Sequence, residues 1–530
     1  MTDHGSPVPQ LHYPMRLLPI VILLSCDSDA TSDNKLLDYD AAAAPEDDGA
    51  GYEADADADG DADADADDTA PPETEDDPLL YSPAVTNQYL FVVNPSRDSL
   101  TRVTVDSLAV QTVGVGATPT TVLATTDTLL AVVLNEGDDS VSVVEGSSLA
   151  VTTVAIRDGM NRLSLANTGD WAMTWYDPDW PASGSTGGVA SFNEVSFVSL
   201  DPVAHHPLVV GYQPHGVRWA DVRAVVVSDT MLAVVDLAES PAARLVPIAD
   251  DDGDVPVAEE VELSTDGEWA FVRQFGVGGL LAVNLDDELV YNLDPGGVPT
   301  DMDIDPTGAS LAVLVRATHT VLRYDLADPL APPTSTVLDT DAEYGSLAFV
   351  GNDGLAVLYT NATLTPSLAL WDSSTGAVVE RTLVKPVSTV GVVDGSGSAL
   401  VFHTKQDHDD IDDESPFAGE YAMTMLTLST GLSTPLLLAG EVVGWGASDD
   451  GRWGFAGLDG KAKLEVLDFA THLPVEVDLA SAPTHVGTLP GSTLGYASME
   501  HELGRIGFYD AATGEMDTLT GFELNSEIEH

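Results

Sequence analysis

Leu90-Phe91-Val92-Val93-Asn94, then Ser99 to Asp106, then Gly116-Ala117-Thr118-Pro119 is the stretch that decides the fold. Each apolar run is short, rich in β-branched residues and broken by polar turn residues. That is the signature of strands, and helical periodicity is nearly absent. The neighbouring unit repeats the wording with Val132-Val133-Leu134-Asn135 and Ser140-Val141-Ser142-Val143.

Working outward, one phrase recurs to the end of the chain: an apolar strand closing on Asp, then a small or polar turn. It reads Val103-Thr104-Val105-Asp106, Phe197 to Asp201, Leu232 to Asp236 and Leu281 to Asp286. It returns as Val321 to Asp325, Leu368 to Asp372, Leu464 to Asp468 and Ile506 to Asp510. Val143-Val144-Glu145 and Leu426 to Ser429 fill the two gaps. These ten copies lie about 45 residues apart, the length of a unit of four short antiparallel strands. Two further signals punctuate the units. Asp266-Gly267, Asp353-Gly354 and Asp450-Gly451 each precede an apolar strand, and Pro119, Pro214, Pro299 and Pro483 precede the strand before that turn. Asp372 to Gly376 and Asp510 to Gly514 place Gly where a hairpin requires positive φ.

Together these phrases resemble the YVTN-type repeat over residues 81–530. The resemblance implies an all-β fold, a β-propeller of four-stranded antiparallel blades. About ten units are counted. One large ring is favoured because no linker-like composition interrupts them, and two rings remain the alternative. The last unit reads as lacking its fourth strand, so Leu80 to Thr86 are expected to supply it and latch the ring.

Residues 1–26 read as an export signal. Met15-Arg16 is followed by an apolar run that ends in Leu23-Leu24-Ser25-Cys26, and Met15 fits the start of a signal better than Met1. The run is too short for a bilayer span, which takes ~20 residues. Its last four residues resemble a bacterial lipobox. That resemblance implies acylation of Cys26, the only cysteine, and a partner in the lipid bilayer. Residues 27–80 read as a disordered tether, with Asp and Ala alternating from Asp55 to Asp67. Asp55-x-Asp57-x-Asp59-Gly60 matches half of a calcium loop, but Ala66 stands where the bidentate Glu belongs. The expected place of the protein is a bacterial cell envelope, outside the cytoplasm.

The formal net charge is −68, from 19 basic and 87 acidic residues. A phosphate-tracking nucleic-acid binder needs a basic face and is excluded. One cysteine excludes a disulfide framework and a cysteine-based metal cluster.

The largest insertion, His403 to Glu414, concentrates Asp407, His408, Asp409, Asp410, Asp412 and Asp413. Carboxylates and imidazoles at this density are candidate ligands for a divalent cation, Ca2+ first, although a solvated acidic loop has the same composition. His205 and His206 are adjacent on a strand and point to opposite faces, so they do not chelate one ion readily. No catalytic residue is assigned, because nucleophile signatures of the Ser/His/Asp or Cys/His kind are missing. The expectation is a binding or scaffold module that takes a protein or glycan on the face bearing loops Trp175–Gly188 and His403–Phe417. The alternative is a hydrolase of the lactonase type with a divalent cation in the central channel, marked by carboxylates converging there.

Overall fold

The ten recurring phrases, eight of them closing on Asp, are the third strands of ten separate sheets. In a computed structural model the described residues are 82–521, interrupted at 126–127, 179–190, 250–257, 275–276, 341, 351–353, 394–396, 410, 413, 500 and 502. Each sheet is a four-stranded antiparallel meander in chain order. The blades span 84–114, 119–155, 162–209, 214–247, 258–293, 301–337, 346–382, 387–438, 442–478 and 483–520, and are numbered 1 to 10.

Within a blade the strands differ in burial for a simple reason. The two middle strands pack on both faces, so they read as continuous apolar runs such as Ser310–Val315, every residue of which is buried. The fourth strand is the outer edge. Leu473–Asp478 in blade 9 is almost wholly exposed. The first strands of neighbouring blades pack against one another and line the centre of the ring.

Ten apolar clusters hold the blades, and each joins one blade to the next. One seats Val225, Val234 and Val246 of blade 4 against Val261, Val272 and Val283 of blade 5. Another closes the circle, with Leu90, Val92 and Val103 of blade 1 against Tyr496, Ile506 and Phe508 of blade 10. The protein is therefore a single large ring. The expected latch is corrected. Ala84–Val85 pairs with Tyr89–Asn94 as the first strand of blade 1, and blade 10 owns its fourth strand, Glu515–Thr520. Among the described residues the two ends of the ring meet through side-chain packing.

The turn residues are fixed by hydrogen bonds. Asp266 Oδ1 accepts the Ser264 hydroxyl at 2.6 Å and the Glu268 amide at 3.0 Å. Asp450 repeats this with Ser448 at 2.6 Å and Arg452 at 3.0 Å. Asp372 accepts the amides of Ser374 and Thr375 at 2.9 and 3.1 Å. Part of the acidic composition therefore builds turns, where carboxylates offer backbone amides an acceptor.

In the first two units the Asn and Ser residues form buried networks. Asn135 Nδ2 donates to the hydroxyls of Ser140 and Ser142, each at 3.0 Å, and Ser142 meets Thr153 at 2.9 Å. Asn94 bonds Thr101 in the same way at 3.0 Å. A Cβ at Gly116 would fall 2.6 Å from Asn135 Nδ2, which explains why Gly stands ahead of Pro119.

Candidate functional site

An innermost strand leaves one backbone edge without a partner in its own sheet, and buried backbone groups need one. Side chains from neighbouring blades supply it. Arg218, on the first strand of blade 4, donates through Nε to Val261 O of blade 5 at 2.8 Å. Asp301 of blade 6 accepts the Leu347 amide of blade 7 at 2.6 Å, and Asp303 accepts the Phe349 amide at 3.2 Å. Thr488 of blade 10 donates to Ala447 O of blade 9 at 2.9 Å.

In blades 5 and 6 these struts gather carboxyl groups. Glu260 and Glu262 share one side of the strand Ala258–Leu263, while Val261 between them enters the apolar cluster with blade 4. Asp301 and Asp303 do likewise in Asp301–Ile304, with Met302 buried against blade 5. Glu260 accepts Arg273 Nε at 2.8 Å and lies close enough to Asp301 to repel its charge.

Burial penalises charge on all four acids. It raises Glu260, against the pull of Arg273, and raises Asp301 well above the carboxylate range, with Glu260 adding repulsion. Burial lifts Asp303 to about 6, opposed by the Phe349 amide. It lifts Glu262 to about 8, helped by the charges of Glu260 and Asp303 and opposed by Arg218.

These four acids were not singled out in the sequence. The signal was there: Glu260-Val261-Glu262 and Asp301-Met302-Asp303 alternate acid and apolar at the period of a strand. That alternation normally marks a solvated face, and only ring closure turns these faces inward.

The insertion after His403 is organised by an internal cation. Lys385 is fully buried, and its Nζ donates to Asp407 Oδ1 at 2.6 Å, Lys405 O at 3.0 Å and Phe417 O at 3.1 Å. Asp407 Oδ2 accepts the Gly419 amide at 2.7 Å. Burial would push the Asp407 carboxyl up, but the Lys385 and Gly419 bonds outweigh it and hold the group below its ordinary value. His408, Asp409 and Asp412 are described in this loop, while Asp410 and Asp413 lie outside the described residues. Among the described residues no three His, Cys, Asp or Glu side chains are grouped to hold a metal ion.

His403 is buried with Nδ1 against Pro386 O at 3.1 Å and Nε2 against the Thr424 hydroxyl at 2.7 Å. Burial lowers it to about 4, so the ring is neutral: Nδ1–H donates and Nε2 accepts. His205 contacts Ser196 at 3.0 Å and His206 contacts Ser199 at 3.5 Å, on opposite faces of their strand as expected. Cys26, the tether with its Asp55–Asp59 half-loop, Trp180 and most of the loop Trp175–Gly188 lie outside the described residues. Among the described residues no helix is long and apolar enough to cross a membrane.

No protein-family model matches the chain, and no curated protein matches it. Solved structures are similar to it at low identity. The dihydro-heme d1 dehydrogenase NirN is 15% identical, with 66% of this chain and 73% of NirN covered and a TM-score of 0.42. Apo AztD from Citrobacter koseri is 13% identical, with 66% of this chain and 94% of AztD covered and a TM-score of 0.39. The β-propeller domain of Myceliophteria thermophila Cps50 (Swd1) is 12% identical, with 51% of this chain and 89% of that domain covered and a TM-score of 0.33. The blade number rests on this chain's own strand pairing.

Proposed function

We propose that the chain is a lipid-anchored protein of a bacterial cell envelope whose ten-bladed ring, built on YVTN-type repeats, serves as a binding or scaffold module. The observation that carries this reading is how the central polar groups are spent. Arg218, Asp301 and Asp303 bond the backbone of the next blade, and Glu260 holds Arg273, which makes the ring's centre a brace. Recognition then falls to the loops. The insertion 403–419, clasped from beneath by Lys385, presents a formed surface to a protein or glycan ligand. Acylation of Cys26 would tether the ring through the acidic segment 27–80.

One observation favours a second reading, a hydrolase of the lactonase type with Ca2+ or another divalent cation at the centre. Glu262 and Asp303 lie close enough to repel and have raised pKa values, as groups tuned for proton transfer do.

The test uses the full chain expressed in a bacterial host. Palmitate labelling that is lost in Cys26→Ser, together with release of that variant from membranes, supports the anchor; an unlabelled wild type refutes it. Glycan and envelope-protein binding should be lost when 405–417 is replaced by a Gly/Ser loop, and unchanged binding overturns the loop assignment. A melting temperature raised by Ca2+ beyond matched ionic strength, with lactone hydrolysis abolished by Asp303→Asn, would displace the module reading with the hydrolase.

A further inference from the structure

The contact at the ring's centre between blades 5, 6 and 7 gathers four carboxyl groups around two guanidiniums. Facing one another are Glu260 and Glu262 from the first strand of blade 5, Arg273 from its second, and Asp301 and Asp303 from the first strand of blade 6. Arg218 approaches from blade 4, Asp305 from the turn after Asp303, and Tyr359 from the second strand of blade 7. The guanidiniums are already committed, Arg273 to Glu260 at 2.8 Å and Arg218 to Val261 O at 2.8 Å. Asp305 is satisfied within its own turn by Ser310 at 2.5 Å and the Thr307 amide at 2.9 Å. Among the described residues no hydrogen bond or ion pair is seen for the Glu262 carboxyl. The same acids carry the struts to blade 7, through the Leu347 and Phe349 amides.

The geometry points to a pH-operated joint: the protonated seam holds blades 5, 6 and 7 together at the ring's centre, and deprotonation in mildly alkaline medium loosens it. The sign follows from linkage. A carboxyl whose folded pKa is raised contributes stability that is fully present below its unfolded pKa and is lost as pH rises through the folded value. For Asp303 that window ends near 6, and for Glu262 near 8. Asp303 has completed its loss below pH 7, so a slope between pH 7 and 9 that disappears when Glu262 is replaced reports that residue. Ionised, it adds a charge beside Asp303, with Arg218 offsetting only part of the repulsion, and the Phe349 strut bears the rest.

The experiment compares the wild-type full chain with Glu262→Gln, which mimics the protonated acid, and with Glu239→Gln at an exposed position as control. Hydrogen exchange of peptides covering Ser346–Val350, corrected for the intrinsic pH dependence of exchange, reports the two strut amides. Between pH 7 and 9 the wild type should lose ~10-fold in protection there, the equivalent of one pKa unit, and its melting temperature should fall. Glu262→Gln should keep its protection and show a flat melting temperature, while Glu239→Gln should follow the wild type. Should Glu262→Gln fail to fold, Asp303→Asn is used instead, and its loss of protection between pH 7 and 9 should be smaller than the wild type's because ionised Glu262 no longer faces the charge of Asp303; a loss equal to the wild type's overturns the proposal. Protection that is flat in the wild type, or that falls equally in wild type and Glu262→Gln, overturns the proposal.

Discussion

Lys385→Met tests a buried cation that makes three hydrogen bonds. The side chain is fully buried, and its ammonium meets two carbonyls and one carboxylate between 2.6 and 3.1 Å. Methionine keeps most of the volume, so the loss is electrostatic. Removing one partner of a buried pair costs about 3–5 kcal/mol because the other charge is left uncompensated. Asp407 keeps 26% of its side chain exposed, so water relieves part of its penalty and the lower end applies. Lys405 O and Phe417 O also lose their donor, at about 1–3 kcal/mol for each buried group left unmet. The pieces add to about 5–9 kcal/mol if nothing relaxes, and because Lys405 is exposed and Phe417 half-buried, water meeting the freed carbonyls brings the expected loss to about 3–5 kcal/mol. At ~2.1 cal/mol/K per residue, a cooperative ring of this length loses about 1 °C per kcal/mol, so the melting temperature should fall by about 3–5 °C.

The local effect should be larger than the global one, since the carbonyls and the carboxylate all belong to the 403–419 insertion. Freed of its clasp, the loop should become a trypsin site at Lys405, which in the wild type lies over the Tyr421 ring at 4.9 Å. Asp407→Asn in the Lys385→Met background should cost less than it does alone, because the buried charge it neutralises has already lost its partner. A Lys385→Met protein with wild-type melting and a wild-type tryptic pattern would refute the reasoning and make the loop self-supporting.

Three more outcomes are expected. Gly446→Val should destabilise by about 1–3 kcal/mol through overpacking, because even a Cβ there lies 3.0 Å from the backbone of Gly487 in the next blade; denaturant unfolding measures it. Asn135→Leu removes the donor shared by Ser140 and Ser142 and should cost about 1–3 kcal/mol, with no change in strand content by circular dichroism. His403, held neutral by burial, withdraws stability as pH falls from its unfolded value near 6.5 toward about 4; His403→Gln should flatten that part of the acid melting curve.

The repeat was legible because its signals are local. A third strand closing on Asp, and a Gly or Asp at a fixed turn, are set by backbone geometry within a few residues, as at Asp372 to Gly376. The ring's ends were misread because latching is decided by pairing partners hundreds of residues apart. Leu80 to Thr86 and Glu515–Thr520 are equally strand-like as text. The central acids were missed for the same reason. Glu260 and Asp301 lie in different blades, and their mutual repulsion exists only once the first strands are brought edge to edge. The lysine beneath the acidic insertion was equally unreadable, since Lys385 precedes the loop by a whole hairpin and is one of only five lysines in the chain.

Closure without a latch changes what must hold this ring together. A shared strand would join the chain's two ends through a backbone ladder, so that opening the ring meant breaking a sheet. Here the contact between blades 1 and 10 is of the same kind as the other nine, an apolar cluster in which Leu90 and Val92 meet Tyr496 and Phe508. A circle of equivalent contacts has no privileged weak point unless polar chemistry makes one. The seam with unmatched carboxyls, between blades 5, 6 and 7, lies about halfway round the ring from the join of the chain's ends. Any opening of the ring that responds to its medium is thus expected at Glu262 and Asp303, where charge opposes packing, rather than at the termini, where packing is unopposed.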